Sequence, residues 1–190
     1  MQEMKDLIRK KGAYLGGGIL KVDSFINHQV DPSFMKNCGE ELARLFSEVS
    51  PTRILTAEIS GIAPAIMTGL AMDIPVVFAR KTKPVTMPDQ VYLTIAPSHT
   101  KGINVELIVS PEYLAKGERV LIIDDFLASG STIKGLVRLV AAAGATLVGI
   151  GALIEKEFEG GRDLLTPLGV PIESLACITH LDENGIVLKD

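Results

Sequence analysis

The sequence predicts an α/β protein with a twisted, mostly parallel sheet flanked by helices. Short apolar runs with the composition of buried strands alternate along the chain with segments of helical periodicity. One of the runs, residues 120–123, is wholly apolar and is followed directly by two acids, Asp124 and Asp125. Wholly apolar strands are typical of parallel sheets covered on both faces, and strand–helix alternation builds the βαβ units of such sheets.

The N-terminal part of the chain precedes this alternation. Residues 1–11 have the pattern of a short amphipathic helix, which the glycines at positions 12 and 16–18 end. Residues 19–30 are predicted to be irregular. Either Asp31 or Ser33 caps the next helix, which is predicted to run to about Val49.

From residue 53 onward, strands and helices follow one another regularly. Strands are predicted at residues 53–57, 75–79, 119–123, 146–154, 172–181 and 186–188, and helices at residues 64–72, 131–143 and 161–168. Residues 81–104 lack helical periodicity and contain three prolines. A strand at 105–109 is predicted to pair with part of 91–96. Because long irregular segments in compact domains are often functional loops, residues 82–104 are a candidate flexible lid.

Length and composition restrict the classes of protein that need to be considered. The 190 residues predict one domain, and 47% hydrophobic with 22% charged residues is usual for a globular protein. A net charge of −4 gives no reason to expect a nucleic-acid partner. The N-terminus lacks the apolar stretch of a signal peptide, and residues 139–154 are too short for a bilayer span of about 20 residues. Two distant cysteines outside any CxxC pair fit a reducing cytoplasm.

The connection between residues 119–123 and the helix that follows carries the clearest chemical signal. After the two acids comes a loop of small residues, Ala128, Ser129, Gly130, Ser131 and Thr132. Small side chains let backbone approach a ligand, and the N–H groups at a helix N-terminus attract an anion. The acids can hold sugar hydroxyls, so the connection suits a phosphorylated ribose. An Asp can equally serve as a helix cap, and the loop is neither a Walker A loop nor a GxGxxG fingerprint.

Charged residues follow four of the predicted parallel strands. They are Glu58 (with Ser60 and Gly61 behind it), the pair Arg80 and Lys81, the pair Asp124 and Asp125, and the pair Glu155 and Lys156. Any one of these groups is also explained as a solvated turn. Their common position at the carboxyl edge of the sheet, where open α/β sheets bind ligands, favours a site.

The connection at residues 119–132 resembles the phosphoribosyl-diphosphate signature of the type I phosphoribosyltransferases. Its apolar strand, two acids, two variable residues and Ala/Gly/Ser/Thr loop occur in that order, and residues 58–61 resemble the diphosphate loop of the same family. The resemblance implies the type I phosphoribosyltransferase fold, in which a small N-terminal hood (here within residues 1–50) covers the base site. It also implies 5-phospho-α-D-ribose 1-diphosphate (PRPP) as co-substrate, Mg²⁺ bound mainly through the diphosphate, and a homodimer.

The same resemblance assigns roles to the charged and small residues. The loop from Ala128 to Thr132 would bind the 5′-phosphate of PRPP. The two acids would be catalytic, because they hold the ribose hydroxyls and favour positive charge on the ring as diphosphate leaves. The residues after the strands predicted at 53–57 and 75–79 would bind the diphosphate. They are Glu58, Ser60, Gly61, Arg80 and Lys81. The lid would exclude water from the activated ribose.

Four further segments extend the resemblance to the bacterial xanthine phosphoribosyltransferases. Residues 20–32, 75–81, 154–156 and 161–163 resemble that group, whereas residues 82–104 are the least typical part of the chain. The resemblance implies that Leu20 and Asn27 contact the purine and that Lys156 lies against it. An ammonium can donate to a purine oxygen, and an amide suits the 2-oxo edge. The implied reaction converts xanthine to xanthosine 5′-monophosphate in purine salvage.

Two alternatives stay open at the level of sequence. One is a purine phosphoribosyltransferase that prefers guanine, hypoxanthine or adenine. The other is a regulator that kept this fold to sense PRPP while binding DNA or RNA. The negative net charge and the lack of a clear helix-turn-helix before residue 53 count against the regulator.

Overall fold

The computed structural model describes residues 1–97 and 104–189, and the following elements belong to those two ranges. The helices are α1 Gln2–Lys11, α2 Pro32–Leu45, α3 Ile62–Met72, α4 Ser131–Ala142 and α5 Gly161–Leu165. The strands are β1 Ala13–Tyr14, β2 Leu20–Lys21, β3 Arg53–Ala57, β4 Val76–Ala79, β5 Tyr92–Pro97, β6 Asn104–Val109, β7 Arg119–Leu127, β8 Thr146–Lys156, β9 Ile172–Asp182 and β10 Gly185–Leu188. Short 3₁₀ helices at Ser47–Val49, Glu157–Glu159 and Thr166–Leu168 complete the described secondary structure.

The central sheet has the order β10-β9-β8-β7-β3-β4. Its neighbouring strands are parallel except that β10 returns antiparallel to β9. The expected α/β class, with a mostly parallel sheet flanked by helices, is therefore confirmed. Between β3 and β7 the strand order reverses, because α3 connects β3 to β4 on one side and α4 connects β7 to β8 on the other. Open α/β sheets bind their ligands at such a reversal, outside the carboxyl ends of the strands.

The core consists of two apolar layers, one on each face of this sheet. Ile54, Leu121 and Ile123 face a layer formed by α1, α2, part of α3 and the hood residues Val22–Ile26. Their neighbours along the strands, among them Leu55 and Ile122, face the layer formed by α4 and the β5–β6 hairpin. Side chains of a strand alternate between its faces, so two uninterrupted apolar strands can supply both layers.

The N-terminal hood lies on the first of these layers. The β1–β2 hairpin precedes a run of turns, and Phe25 and Ile26 in those turns are buried. The helix after them is capped by Asp31, which accepts hydrogen bonds from the N–H groups of Ser33 and Phe34 at 3.1 Å each. Of the two predicted caps, Asp31 is thus the one that the structure uses.

The β5–β6 hairpin occupies part of the segment predicted to be an irregular lid. Its antiparallel pairing, from Tyr92 opposite Val109 to Pro97 opposite Asn104, confirms the predicted partnership of residues 91–96 and 105–109. The hairpin is tied to α4 because Arg138 donates to the Thr94 hydroxyl at 2.7 Å and to the Ile95 carbonyl at 2.6 Å. The part of the predicted lid at 98–103 lies outside the described residues.

Two strand ends differ from the prediction by more than one residue. The strand predicted at 119–123 continues to Leu127, and the one predicted at 146–154 continues to Lys156. The extended part of β7 still pairs with β8, with Phe126 opposite Ile154 and Leu127 opposite Glu155. The apolar pattern stops at Ile123, but backbone hydrogen bonds between parallel strands do not depend on apolar side chains. Asp124 and Asp125 are consequently part of the strand rather than of the loop after it.

Smaller differences concern the helices. The helix predicted at 64–72 begins two residues earlier, at Ile62, and the helix predicted to reach Val49 ends at Leu45. Among residues 1–97 and 104–189, none of the helices combines the length and the apolar character needed to cross a bilayer.

Candidate active site

A cavity of about 570 Å³ opens at the carboxyl ends of β3 and β7, where the strand order reverses. Its walls come from the hood, the loop after β3, the β5–β6 hairpin, the β7–α4 connection and the end of β8. The predicted site residues that line it are Leu20, Asn27, Glu58, Ser60, Lys81, Asp124, Asp125, Ala128, Ser129, Gly130, Ser131, Thr132 and Lys156. Segments distant in sequence therefore meet around one cavity of the size that holds a small-molecule ligand.

The two acids are nearly buried at this cavity. Asp124 is 7% exposed and Asp125 is 8% exposed. The Asp125 N–H donates to Asp124 Oδ1 at 3.0 Å, and the Phe126 N–H donates to Asp125 Oδ1 at 3.1 Å. Burial and then the neighbouring Asp125 charge raise the pKa of Asp124 well above its usual range, although the Asp125 N–H and Lys81 act in the opposite direction. Hydroxyl donors or a positively charged group would compensate this cost.

The loop after β7 presents backbone donors. Gly130 precedes α4 in a left-handed conformation with φ of 75°, which glycine adopts without strain. It has no side chain with which to cap the helix. The N–H of Ser131, the first of α4, makes only a long contact of 3.5 Å with Ser129 Oγ. The hydroxyls of Ser129 and Ser131 lie 3.0 Å apart at the same place. N–H groups and hydroxyls at the positive end of a helix dipole are chemically suited to an anion such as phosphate.

The loop after β3 approaches the acids from the opposite side. A methyl group at Gly61 would lie 2.7 Å from Asp124 Oδ1 and 2.3 Å from the Thr56 hydroxyl oxygen, so a glycine is required there. The peptide bond between Glu58 and Ile59 is cis. Glu58 joins this loop to the end of β4, because its carboxylate accepts the Lys81 N–H at 2.6 Å and lies 3.0 Å from Arg80 Nε.

Three residues expected at the cavity are placed elsewhere. Gly61 lies behind the cavity wall, against Asp124. Arg80 is turned toward Glu58 and lies 5.7 Å from the centre of the Phe78 ring, while its neighbour Lys81 does line the cavity. Glu155, at the end of β8, is 1% exposed and forms an ion pair with Arg162. Neighbouring residues of extended backbone tend to point in opposite directions. Of the pairs Arg80–Lys81 and Glu155–Lys156, only the two lysines line the cavity.

The opposite end of the cavity is formed by Lys156 and the hood. Lys156 Nζ donates to the Gly18 carbonyl at 2.8 Å and to Glu159 Oε1 at 3.1 Å. The ammonium also lies 5.5 Å from the centre of the Phe126 ring, a distance at which cation–π attraction operates. Since an ammonium has three donors, these two hydrogen bonds orient Lys156 and leave it able to donate to a ligand.

Sequence reasoning missed some residues of this cavity. Phe126, Lys21 and Asp23 line it, and the last two form an ion pair at 2.7 Å. Phe126 could have been found, because in a strand that continues past the acids it lies on the same face as Asp124. Lys21 and Asp23 stand in a hood of irregular pattern, where the sequence carries no signal for the direction of a side chain.

The phosphoribosyl transferase domain family matches residues 32–171 of the chain. Solved structures of adenine phosphoribosyltransferases share its fold. That from Trypanosoma brucei superposes with a TM-score of 0.77 at 19% identity, covering 96% of this chain and 82% of that one. The enzyme from Thermoanaerobacter pseudethanolicus gives a TM-score of 0.75 at 24% identity, covering 93% and 98%. The chain thus has the type I phosphoribosyltransferase fold that its motif implied.

Curated relatives indicate which branch of this family the chain resembles. A xanthine phosphoribosyltransferase from Deinococcus deserti is 48% identical over 100% of this chain and 98% of its own length. One from Latilactobacillus sakei is 47% identical over 100% of this chain and 97% of its own length. The chain belongs to the xanthine phosphoribosyltransferase family. The resemblance noted in the hood, in residues 75–81 and in residues 154–156 is therefore confirmed at the level of the family.

The raised pKa of Asp124 predicts a pH-dependent effect on stability. In the unfolded chain this carboxyl ionises near its ordinary pKa of 3.8, whereas the folded protein retains the proton to higher pH. The stabilising effect of the bound proton is complete below that pH and is lost as the pH rises toward the folded pKa. We expect Asp124→Asn, which needs no proton, to gain stability relative to the wild type between about pH 4 and about pH 7.5.

Urea unfolding at both pH values measures this difference. Asp89→Asn serves as the control, because the Asp89 side chain is fully exposed. A stability difference between Asp124→Asn and the wild type that stays constant with pH would contradict the assignment of a raised pKa to Asp124.

Proposed function

We propose that the protein transfers the 5-phosphoribosyl group of PRPP to xanthine, giving xanthosine 5′-monophosphate and diphosphate. The observation that carries the proposal is the shared cavity, in which a phosphate-binding loop, two buried acids and Lys156 surround one space of about 570 Å³. The curated relatives named xanthine phosphoribosyltransferase, matched along the whole chain, support the choice of base.

In this reaction a purine nitrogen bonds to the anomeric carbon of the ribose, the bond from that carbon to the diphosphate oxygen breaks, and the purine releases a proton to water. The Ala128–Thr132 loop holds the 5′-phosphate through N–H groups and hydroxyls. Asp124 and Asp125 accept hydrogen bonds from the ribose hydroxyls and stabilise the positive charge that develops on the ring. Ser60 and Lys81 bind the departing diphosphate, and Glu58 holds their two segments together through the Lys81 N–H.

Magnesium fits this site as a partner of the diphosphate. Within the part of the chain that the structure describes, no three His, Cys, Asp or Glu side chains come together as a ready-made metal site. Mg²⁺ commonly takes one or two carboxylates, with phosphate and water oxygens for the rest, and the cavity offers Asp124 and Asp125 as such donors. When bound, the ion neutralises charge on the leaving diphosphate.

Lys156 favours an oxopurine over adenine, and xanthine most, because xanthine can lose a proton near neutral pH. Its ammonium is oriented by the hood carbonyl of Gly18 and by Glu159, and it can donate to an oxygen of the purine. Adenine would present an exocyclic amine and place donor against donor. Leu20 packs on the ring, and Asn27 both donates and accepts at the 2-oxo edge.

A second copy of the chain is the partner that we propose. Leu70 on α3 is 72% exposed and Ile66, one turn before it, is 49% exposed, and both line a groove beside β4. Phe78 of β4, the edge strand, is 39% exposed. An apolar helix face that continues onto the edge strand of a sheet is typical of a dimer interface, and symmetric dimers are the commonest assemblies.

A cytoplasmic location is proposed with it. Cys38 is buried, Cys177 is half-buried, and the two are not joined in a disulfide. Thiols that remain reduced are usual in the cytosol.

We also propose that residues 82–104 act as a flexible lid. Strand β5 lies within this segment, and the β5–β6 hairpin forms one wall of the cavity.

The base preference is tested by steady-state assays with PRPP and xanthine, guanine, hypoxanthine or adenine. We expect the highest kcat/KM for xanthine and a decrease of about 10- to 100-fold for xanthine in Lys156→Ala, the usual effect of losing a hydrogen bond from a charged group. Hypoxanthine should lose less, because xanthine can lose a proton near neutral pH and the ammonium favours the more anionic base.

Lys36→Ala is the matched control, because Lys36 lies on the exposed side of α2 and pairs only with its neighbour Glu40 among the described residues. A higher kcat/KM for adenine than for xanthine in the wild type would contradict the assignment of xanthine as the substrate. Equal losses for all bases in Lys156→Ala would remove Lys156 from the account of specificity.

The dimer is tested by sedimentation velocity. The wild type should sediment as a dimer, and Leu70→Lys should shift it to a monomer, because a charge would be buried in the apolar interface. Leu168→Lys, at an exposed site away from α3, should leave the dimer intact. A wild-type monomer, or a dimer unaffected by Leu70→Lys, would contradict the interface.

A further inference from the structure

An ion pair between a buried carboxylate and an arginine whose side chain is 39% exposed stands directly behind the cavity. The Glu155 carboxylate is 1% exposed and accepts two hydrogen bonds from one guanidinium, from Arg162 Nε at 2.7 Å and from Arg162 Nη2 at 2.6 Å. The third nitrogen, Arg162 Nη1, donates to the Ile172 carbonyl at 2.9 Å. One side chain therefore ties the end of β8, the start of α5 and the start of β9 together. Neither member of the pair lines the cavity.

The helix that carries Arg162 is in contact with the phosphate loop. A methyl group at Gly161 would lie 2.1 Å from the Ala128 carbonyl oxygen and 2.7 Å from the Gly130 nitrogen. The same contact holds in reverse, since a methyl group at Gly130 would lie 3.2 Å from Gly161 Cα. The backbone of α5 thus supports the loop from behind with no side chain between them.

The position of the pair relates it to two parts of the site. Glu155 precedes Lys156, whose ammonium lies at the base end of the cavity, and its backbone pairs with Leu127, the residue before the phosphate loop. Arg162 follows Gly161, which supports that loop. The loop's own serine hydroxyls bond to each other, so they do not fix it against its surroundings.

We propose that Glu155 and Arg162 are positioning residues that hold α5 against the Ala128–Thr132 loop and so fix its N–H groups for the 5′-phosphate. The inference rests on the proposed function for the identity of the co-substrate. Because misplacing a binding group by about 1 Å can reduce a rate by up to 10²-fold, small shifts of α5 would be felt in phosphate binding. Lys156 is held separately by Gly18 and Glu159, so the base should be affected less.

A matched ion pair exists at the other end of the sheet. Arg53 pairs with Glu118, with side chains 23% and 16% exposed, at the amino ends of β3 and β7. It also joins an arginine to a partly buried carboxylate, with Arg53 Nε and Nη2 both donating to Glu118 Oε1, but it lies away from the cavity. Loss of either pair should affect folding, whereas only loss of the Glu155–Arg162 pair should affect the phosphate loop.

The test compares Arg162→Lys with Arg53→Lys in the full-length protein. Lysine keeps the charge but cannot bridge Glu155 and the Ile172 carbonyl together. We expect Arg162→Lys to raise KM for PRPP about 10-fold or more, with KM for xanthine changed less than about 3-fold. Arg53→Lys should leave both constants near wild type. Gly161→Ala, which pushes on the loop directly, should show the same pattern as Arg162→Lys.

Calorimetric titration with ribose 5-phosphate, in the absence of any base, gives a readout independent of turnover. Its Kd should rise about 10-fold or more in Arg162→Lys and stay unchanged in Arg53→Lys. Equal changes in the two variants, or a KM for xanthine that rises as much as that for PRPP, would overturn the positioning role. If the wild type failed to use xanthine while the ribose 5-phosphate result held, the substrate would be wrong and the role of the pair supported.

Discussion

The paired extension of β7 and β8 is the constraint on which the site depends. Beyond the apolar run of β7 the two strands stay paired, with Asp124 opposite Ala152, Phe126 opposite Ile154 and Leu127 opposite Glu155. This pairing fixes the two acids in extended backbone, carries Lys156 to the cavity, and determines where the Ala128–Thr132 loop begins. Backbone hydrogen bonds that hold charged residues at the end of a buried strand give those charges positions that a free loop would not provide.

This arrangement removes several charged side chains from water, which costs free energy. Asp124 and Asp125 are nearly buried side by side, and burial together with mutual repulsion raises the pKa of Asp124. The Glu155 charge is compensated by an arginine fork. Within residues 1–97 and 104–189, the acid pair receives backbone donors and the nearby Lys81 instead. Uncompensated charge of this kind is common where a ligand supplies the missing partners. In the proposed reaction, the ribose hydroxyls and the cationic character of the ring would be such partners.

Much of the fold and part of the site could be predicted from the sequence. The strand at Arg53–Ala57 and the pairing of β5 with β6 followed from period and composition. The ends of β7 and β8 did not, because the apolar pattern stops where the hydrogen-bonded pairing continues. For Glu155 and Arg80, the sequence indicated their charge but not their partners. Their partners, Arg162 and Glu58, are set by tertiary packing, so two charges expected at the cavity are held in ion pairs instead.

A crystal structure of the complex with xanthosine 5′-monophosphate tests most directly whether these segments form one site. We expect the 5′-phosphate within hydrogen-bonding distance of the N–H groups of Ala128–Thr132. The ribose hydroxyls should contact Asp124 and Asp125, and a purine oxygen should contact Lys156 Nζ. A nucleotide bound with its base away from Lys156, or with its phosphate away from that loop, would contradict the claim that these segments form one site.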